Sequence, residues 1–401
     1  MRRGVTQRPI LPGSRIGIVG GGQLGRMLAA AASRMGYEPH VLDPGADPPA
    51  ARFAAKHVRA ELGDAGAMAE FAAGVDVVTF EFENIGIGAL QTAAAVQLVR
   101  PSPEVLFLTQ DRSREKAFLR RAGLPLAESE LVTDEVELHS ALERLDGPCV
   151  VKTAGFGYDG KGQVKLGSGR TESEMAAARQ LARQGPVVVE RFVDLAAELS
   201  VIVARDAAGS CAAYRPFINR HVNHILDVTL APFTPSSRDI SQLGVDVDTA
   251  DQAVELACEV ARALDAVGLI TVEFFLATNG ELLVNEIAPR PHNSGHLTIE
   301  AAETSQFEQQ LRAVCGLPLG STALTTPAAM ANLLGDIWVG GDVHHGVDYA
   351  AGLRFPGVSL HLYGKREARP GRKMGHLTAT AETVEAAERS VVMSRRALSA
   401  P

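Results

Sequence analysis

The stretch ITVEFFLATNGELLVNEI, residues 270–287, contains two apolar runs joined by Asn279-Gly280. Because Asn-Gly favours two-residue hairpin loops, we expect an antiparallel hairpin with residue 278 opposite residue 281. Counting down this ladder places Glu273 opposite Glu286, and directly opposed side chains share one face of a sheet about 5 Å apart. Two carboxylates this close repel each other, and a hard divalent cation would neutralise them. The hairpin therefore predicts a Mg²⁺ site formed by Glu273 and Glu286.

Three neighbouring residues bear on this prediction. A flat ladder turns Asn285 to the opposite face, so Asn285 joins the metal site only if the strand twists or carries a bulge. A solvated acidic pair on an exposed face is the alternative to a metal site. Phe275 and Val284 share the predicted carboxylate face, and they favour a buried site.

A glycine-rich loop lies between two predicted strands in KTAGFGYDGKGQ, residues 152–163. Its backbone can fold over a polyphosphate while Lys152, on the strand, neutralises charge. The loop lacks the GxxxxGK(S/T) order of a P-loop, and a strand follows it instead of a helix. A simple hairpin turn is the alternative, but so many glycines, with Phe156, Tyr158 and Asp159 among them, favour a lid that faces a substrate.

Another glycine-rich turn, GGGQLG at residues 20–25, lies between a predicted strand and a predicted helix, and Asp43 ends the next strand. This pattern is typical of dinucleotide-binding folds, in which N–H groups at a helix N-terminus approach a phosphate. A dinucleotide competes here with any other phosphate ester, and a tight turn that packs the helix on the strand is a further alternative. The β-α-β opening predicts an open α/β first domain that ends near residue 110.

Composition and charge exclude several classes of protein. The 401 residues are 46% hydrophobic, and the net charge of -8 argues against a partner that is nucleic acid or an anionic membrane. Four scattered cysteines form neither a close-spaced disulfide framework nor a CxxC pair. We find no export signal and no run near the ~18 apolar residues of a spanning helix, so we expect a cytoplasmic protein.

The order of glycine lid, strand lysine and acidic hairpin resembles the ATP-grasp superfamily, and within it the family of N5-carboxyaminoimidazole ribonucleotide synthetases. The matching segments are GGGQLGRML (residues 20–28), TFEFENI (79–85), GYDGKGQ (157–163), NEIAPRPHNSGH (285–296) and RPGRKMGH (369–376). The resemblance implies an α/β ATP-grasp architecture in three parts. These are a Rossmann-like N-terminal sheet at 1–110, an ATP-grasp domain at 111–320 with a small α+β lid at about 120–195, and a C-terminal α+β/β domain at 321–401.

The resemblance also implies an activity. Members of this family are ligases that carboxylate 5-aminoimidazole ribonucleotide with ATP and bicarbonate, through carboxyphosphate, in purine biosynthesis. Mg²⁺ would be the cofactor, held by Glu273, Glu286 and Asn285. A homodimer is the expected assembly.

For the nucleotide, the resemblance implies that Lys152 and the lid loop contact phosphates, that Glu190 with Val193 holds the adenine edge, and that Glu198 binds the ribose. The full implied ATP set is Arg100, Lys152, Gly157, Tyr158, Asp159, Gly160, Lys161, Gly162, Gln163, Glu190, Arg191, Phe192, Val193, Glu198, His221, Asn285 and Glu286. The segment NRHVNHIL, residues 219–226, is one residue shorter than the family's segment. His221 and His224 therefore stay alternatives for one nucleotide contact.

The second substrate is a phosphate monoester, and cations near the C-terminus suit its dianion. The implied substrate set is Gly22, Gln23, Leu24, Glu81, Glu83, Arg290, His292, Asn293, Ser294, Lys365, Arg372 and Lys373. The implied catalytic set is Tyr158, Asp159, Lys161, His292 and Lys365. Within the substrate set, Glu81 or Glu83 would bind the ribose, and the first glycine turn would bind this ligand instead of NAD.

Other functions stay open at this point. A transformylase that uses formyl phosphate is the nearest competitor within the superfamily. An NAD-dependent oxidoreductase would use residues 20–25 and Asp43, but it leaves the lid and the paired glutamates unexplained. A nucleotide-binding regulator would bind ATP without turnover.

Overall fold

The structure is a computed structural model, and it describes residues 8–155, 162–232, 243–338 and 346–398. In these ranges the strands form three sheets, each with helices packed on it. Within the same ranges, no helix is both long and apolar enough to cross a membrane.

The first sheet is open and parallel. Its strands and helices are β1 (Arg15–Val19), α1 (Gln23–Arg34), β2 (Glu38–Leu42), β3 (Lys56–Val58), α2 (Ala65–Ala73), β4 (Val77–Phe80) and α3 (Ile87–Val96). The strand order is β3-β2-β1-β4. Nearly every residue of β1 and β4 is buried, because helices cover both faces of a parallel sheet. The predicted α/β opening is confirmed.

Two helices lead from this sheet to a small antiparallel one. The elements are α4 (Pro103–Thr109), α5 (Arg112–Arg121), β5 (Ser129–Val132), α6 (Glu135–Leu145), β6 (Cys149–Thr153), β7 (Gln163–Leu166), α7 (Glu172–Gln184) and β8 (Val187–Arg191). The strand order is β5-β8-β6-β7, and α6 and α7 enclose a separate apolar core against the sheet. Thr171 and Glu174 form a capping box that starts α7. This is the predicted α+β lid, hereafter the lid sheet.

The third sheet is the largest. Its elements are β9 (Leu195–Arg205), β10 (Cys211–Ala213), β11 (Phe217–Val222), β12 (Ile225–Ala231), α8 (Val247–Ala263), β13 (Gly268–Ala277), β14 (Leu282–Ala288), α9 (Thr298–Ala301), α10 (Gln306–Cys315), β15 (Ala328–Leu334), α11 (Tyr349–Gly352), β16 (Val358–Leu362), β17 (Lys373–Thr380) and α12 (Val384–Leu398). The strands follow the order β14-β13-β9-β11-β12-β15-β17-β16, and β10 pairs with β9. All of these pairings are antiparallel.

The C-terminal segment continues this large sheet. The small C-terminal domain at 321–401 stays a prediction, and its first strand, β15, pairs directly with β12. Buried side chains from β13, β15, β17 and α12, including Val272, Ala331, Leu377 and Val391, belong to one apolar cluster. The C-terminal strands are therefore held to the predicted acidic hairpin by a continuous hydrogen-bonded sheet.

Candidate active site

The hairpin of β13 and β14 has a longer loop than the Asn-Gly pair predicted. The Ala277 N–H donates to the Glu281 carbonyl at 2.9 Å, and the Gly280 N–H donates to the Ala277 carbonyl at 2.9 Å. Three residues, 278–280, therefore form the loop, and Gly280 adopts a φ of 88°. A three-residue loop that ends on a left-handed glycine is a common hairpin connection.

A β-bulge restores the predicted pair of carboxylates. Phe274 pairs with Val284, the register then shifts by one residue, and Glu273 pairs with Glu286. Asn285 is the extra residue on the bulged strand. The bulge also corrects one expectation, because Val284 pairs with Phe274 and lies on the face opposite the carboxylates.

The carboxylate pair fits a magnesium ion. The Glu286 side chain is 43% exposed, and its nearest cation is the Arg112 guanidinium at 3.7 Å. Partial burial and repulsion from Glu273 raise the pKa of Glu286, although Arg112 opposes the shift. Among the described residues no cluster of three or more His, Cys, Asp or Glu could hold a metal. Mg²⁺ is commonly bound by one or two carboxylates and takes its other oxygens from phosphate and water, so the chemistry of the Glu273–Glu286 pair, with Asn285 beside it, suits this ion.

A buried ion cluster joins the lid sheet to this hairpin. Glu190 is 3% exposed and lies 2.9 Å from the Lys152 ammonium and 3.6 Å from the Lys116 ammonium. Burial opposes ionisation, but the two lysines prevail and lower the pKa of Glu190 to about 2. Lys116 also donates to the carbonyl of Asn285 at 2.8 Å. The bulge and the predicted adenine-side glutamate are thus fixed by one ammonium group.

The start of α5 supplies three site residues that the sequence analysis missed. Arg112 donates to the Thr153 carbonyl at 3.1 Å in addition to facing Glu286. Glu115 accepts the N–H of Ile287 at 2.8 Å, and burial, with a smaller contribution from Glu286, raises its pKa to about 8 against the effect of Lys116. The sequence contained a pattern that could have identified them, because residues 112, 115, 116 and 119 have the spacing of one buried helix face. Charged residues at such positions indicate a polar partner.

Five residues of the predicted lid loop, Gly157, Tyr158, Asp159, Gly160 and Lys161, lie outside the described residues. The strands on either side form the expected antiparallel pair, with Lys152 opposite Gln163. Gly162 has a φ of 73°, and a Cβ there would lie 2.6 Å from the Thr153 hydroxyl, so a side chain would not fit.

The two candidate histidines have different partners. The His221 Nδ1 lies 3.1 Å from the Glu198 carboxylate, and the His224 Nδ1 lies 3.1 Å from the Gln163 amide nitrogen. Burial opposes protonation of His221, but Glu198 raises its pKa. His221 thus adjoins the predicted ribose glutamate, and His224 adjoins the end of the lid loop.

The remaining predicted ATP residues are more dispersed. Arg191 is exposed and pairs with Glu128 at 2.6 Å. The Phe192 ring lies 3.7 Å from the Lys165 ammonium, and Val193 lies in the connection between β8 and β9. Arg100 is 8% exposed and donates to the Val314 carbonyl at 2.8 Å, at the C-terminal end of α10. Its contact with a nucleotide stays a prediction.

The first glycine turn binds protein carboxylates in this structure. Glu81 accepts the N–H groups of Gly22 at 2.8 Å and Gly25 at 3.1 Å, and Asp43 accepts the N–H of Gly21 at 2.7 Å. Burial raises the pKa of Glu81 against these bonds. The N-terminus of α1 is therefore capped internally by Glu81, and a contact of this turn with the substrate stays a prediction. Asp43, the ribose ligand that the dinucleotide alternative requires, is engaged in the same way.

Predicted substrate residues from the two ends of the chain meet beside this turn. The Lys365 ammonium donates to the Gln23 amide oxygen and to the Lys373 carbonyl, both at 2.6 Å. Arg290 pairs with Glu83 at 3.1 Å. Arg372 donates to the Glu367 carbonyl at 2.8 Å, and Leu24 is buried. Burial opposes ionisation of Glu273, but His292, with smaller contributions from His221 and Lys373, lowers its pKa to about 2.

The segment after β14 places three predicted substrate residues beside the large sheet. His292 has its Nε2 2.9 Å from the Glu273 carboxylate. Asn293 is 7% exposed and donates to the Asn332 side chain at 3.1 Å. Ser294 is fully buried, and its hydroxyl contacts Ser200 and His292 at 2.7 and 2.8 Å. Ser294 thus contacts His292 in this structure, and its contact with a substrate stays a prediction.

Comparison with known proteins agrees with this geometry. Family models match at residues 14–110 (ribonucleotide synthetase preATP-grasp domain), 117–307 (ATP-grasp domain) and 328–390 (phosphoribosylaminoimidazole carboxylase C-terminal domain). Fold and site thus define an ATP-grasp enzyme. The chain is 45% identical over 367 residues to the N5-carboxyaminoimidazole ribonucleotide synthase of Brucella melitensis, covering 92% of this chain and 96% of that protein. It belongs to the family of N5-carboxyaminoimidazole ribonucleotide synthases.

Two further relatives extend the comparison. The synthase of Bacillus subtilis is 41% identical over 374 residues, covering 93% of each chain. The crystal structure of the Aspergillus clavatus synthase, in complex with ADP and 5-aminoimidazole ribonucleotide, superposes with a TM-score of 0.85 at 31% identity. That match covers 96% of this chain and 99% of the other. The oxidoreductase alternative has no support from these matches.

Proposed function

We propose that this chain uses ATP and bicarbonate to carboxylate the exocyclic amine of 5-aminoimidazole ribonucleotide, forming N5-carboxyaminoimidazole ribonucleotide, ADP and phosphate. The observation that carries the proposal is the Glu273–Glu286 pair, which is joined to the ion cluster of Glu190, Lys116 and Lys152 by the bond from Lys116 to the Asn285 carbonyl. The proposal requires a phosphoryl-transfer site beside a phosphate-monoester site. The homodimer and the cytoplasmic location stay predictions of the sequence.

In the first step, a bicarbonate oxygen attacks the γ-phosphorus of ATP, the bond to the bridging oxygen breaks, and ADP leaves. Such a transfer needs charge neutralisation and alignment more than covalent help from the protein. Lys152 and Arg112 would neutralise phosphate oxygens from the lid side. Mg²⁺, bound by Glu273, Glu286 and Asn285, would neutralise the rest of that charge.

In the second step, the substrate amine attacks the carbonyl carbon of carboxyphosphate, phosphate leaves, and the amine loses a proton. Lys365, Arg372, Lys373 and Arg290 would hold the substrate's own phosphate, since charge-assisted bonds to a dianion are strong. His292 would lie between the two substrates, beside Glu273. Closure of the lid sheet would exclude water and so protect carboxyphosphate from hydrolysis.

The proposal is tested by ADP release from the purified chain with and without 5-aminoimidazole ribonucleotide and bicarbonate. We expect Glu286→Gln to abolish this release, because one ligand charge of the metal pair is lost. Glu281→Gln is the matched control, since Glu281 is exposed at the turn of the same hairpin. Wild-type turnover by a folded Glu286→Gln protein at saturating Mg²⁺ would contradict the metal assignment. Turnover with formate in place of bicarbonate would support the transformylase alternative.

A further inference from the structure

A groove lies between α1 of the first sheet and β16, the last strand of the large sheet. Its volume is about 410 Å³, which is in the range of sites that bind small molecules. Arg26 and Phe53 line one side of the groove, and Leu362 and Tyr363 line the other. No side chain of the groove belongs to the proposed ATP, metal or substrate sets. The groove is therefore open to a different ligand.

Two arginines converge beside the groove, where the chain passes from Tyr363 to Gly364. A Cβ on Gly364 would lie 3.3 Å from Nη1 of Arg52 and 3.5 Å from Nη1 of Arg26, so both guanidinium groups approach the same point. Burial, with a smaller contribution from the Arg52 charge, lowers the pKa of Arg26. Because like charges this close repel each other, an anion bound between them would stabilise the pair.

Among the described residues, the neighbours of Arg26 and Arg52 compensate only part of their charge. Asp47 lies 3.8 Å from Arg52, but it pairs more closely with Arg366, at 2.6 Å. Arg26 donates to the Pro49 carbonyl at 3.3 Å, and this partner is uncharged. One carboxylate thus faces two arginines, and Arg26 adds a further positive charge. The groove is therefore cationic at this end.

An apolar and aromatic wall adjoins the cationic end. Phe53 and Leu362 are both exposed, and both line the groove. The guanidinium carbon of Arg26 lies 4.6 Å from the centre of the Phe53 ring. Flat unsaturated rings stack on aromatic side chains and on guanidinium planes. A ligand that carries both a phosphate and a flat ring would therefore contact both parts of the groove, whereas a bare anion would contact the arginines alone.

We propose that this groove binds a nucleoside monophosphate, with its phosphate between Arg26 and Arg52 and its base on Phe53. Contacts between arginine and phosphate are charge-assisted and therefore strong. Arg26 follows Gln23 by about one helical turn, and Gln23 accepts a bond from Lys365 at 2.6 Å. The groove thus adjoins the proposed substrate site without sharing a side chain with it, and binding there does not depend on the proposed carboxylation.

The test is isothermal titration calorimetry of the full chain with AMP. Mg-ADP and 5-aminoimidazole ribonucleotide are present at saturation, so that the two proposed active-site positions are occupied. We expect one equivalent of AMP to bind. Arg26→Met and Arg52→Met should each weaken this binding about tenfold, because each removes a charge-assisted contact. Phe53→Leu should weaken it severalfold through the loss of stacking. Arg52 is half exposed, so its replacement leaves a folded protein to measure.

Arg34→Met is the matched control, since Arg34 is an exposed arginine of the same helix that pairs with Glu308. It should keep the wild-type affinity. Absence of AMP binding, or wild-type affinity in both Arg26→Met and Arg52→Met, would overturn the proposal. Inorganic phosphate that binds as tightly as AMP would also overturn it, because the ring would then contribute nothing.

Two further outcomes separate this groove from the active site. AMP that binds the Mg-ADP complex but is displaced by 5-aminoimidazole ribonucleotide, with no effect of Arg26→Met, would lie in the substrate site and would overturn the proposal. A chain that binds AMP as expected but does not carboxylate 5-aminoimidazole ribonucleotide would contradict the proposed function and support the groove as a binding site.

Discussion

At the scale of single residues, Glu190 gives a test of the buried ion cluster. Its pKa of about 2 lies below the value of about 4.3 for an unfolded chain, so folding favours the ionised carboxylate. The stabilisation is complete above the unfolded pKa and is lost as the pH falls toward the folded pKa. We expect the advantage of wild type over Glu190→Gln in urea unfolding to shrink by about 2 kcal/mol between about pH 6 and pH 3.

The control for this measurement is Glu382→Gln, at an exposed glutamate before α12. Its difference from wild type should change little over the same pH range. If the difference in unfolding free energy between wild type and Glu190→Gln were equally independent of pH, Lys116 and Lys152 would not be stabilising the ionised form of Glu190.

Residue types alone gave candidate site residues where the chemistry is local, but they did not give contacts between residues that are distant in sequence. Lys152 and Glu273 could be selected from their own strands. The bond from Lys116 to the carbonyl of Asn285, 169 residues away, could not be predicted, because the sequence of α5 does not indicate which residue Lys116 contacts. The burial of Ser294 could not be predicted for the same reason, since it depends on Ser200 in another strand.

At the scale of elements, the β13–β14 hairpin depends on Gly280. Its φ of 88° is a conformation that side chains adopt at a cost, and nothing lies within 4 Å of where a Cβ would be. Gly280→Ala should therefore lose about 1 kcal/mol in the free energy of unfolding through backbone strain alone. Gly88→Ala, at an equally open position in α3, should gain about 0.5 kcal/mol through helix propensity. Equal effects of the two changes in urea unfolding would contradict this assignment of strain.

The β13–β14 hairpin also shows which part of a strand register can be predicted from the turn residues. The Asn-Gly pair predicted a two-residue loop, whereas the loop has three residues, 278–280. The predicted pair of opposed residues, Glu273 and Glu286, was nevertheless correct. The bulge at Asn285 adds one residue on the same strand, and the two departures cancel. The sequence showed that Asn285 could join the metal site only if the strand twisted or carried a bulge. It did not show where a bulge would form, because the bulge depends on contacts with other elements, such as the bond from Lys116 to the Asn285 carbonyl.

At the scale of the whole molecule, Lys365 connects the first glycine turn to the C-terminal strands. We expect 5-aminoimidazole ribonucleotide to raise the Tm of wild type, because a bound ligand stabilises the folded state by mass action. Lys365→Met should lose this shift and keep the shift given by Mg-ADP. The neighbouring Arg366→Met is the control, because Arg366 is 76% exposed and also contacts the first domain, through Asp47. Loss of both ligand shifts in Lys365→Met would indicate general damage instead of a substrate contact.

The pairing of β15 with β12 has a consequence for how the chain is made. Until residues 328–334 have left the ribosome, β12 has an unpaired edge of N–H and C=O groups beside an incomplete apolar core. Such edges recruit strands from other molecules. The acidic hairpin is synthesised before this edge is covered, so nascent chains that stall between residues 290 and 327 should be the ones that aggregate.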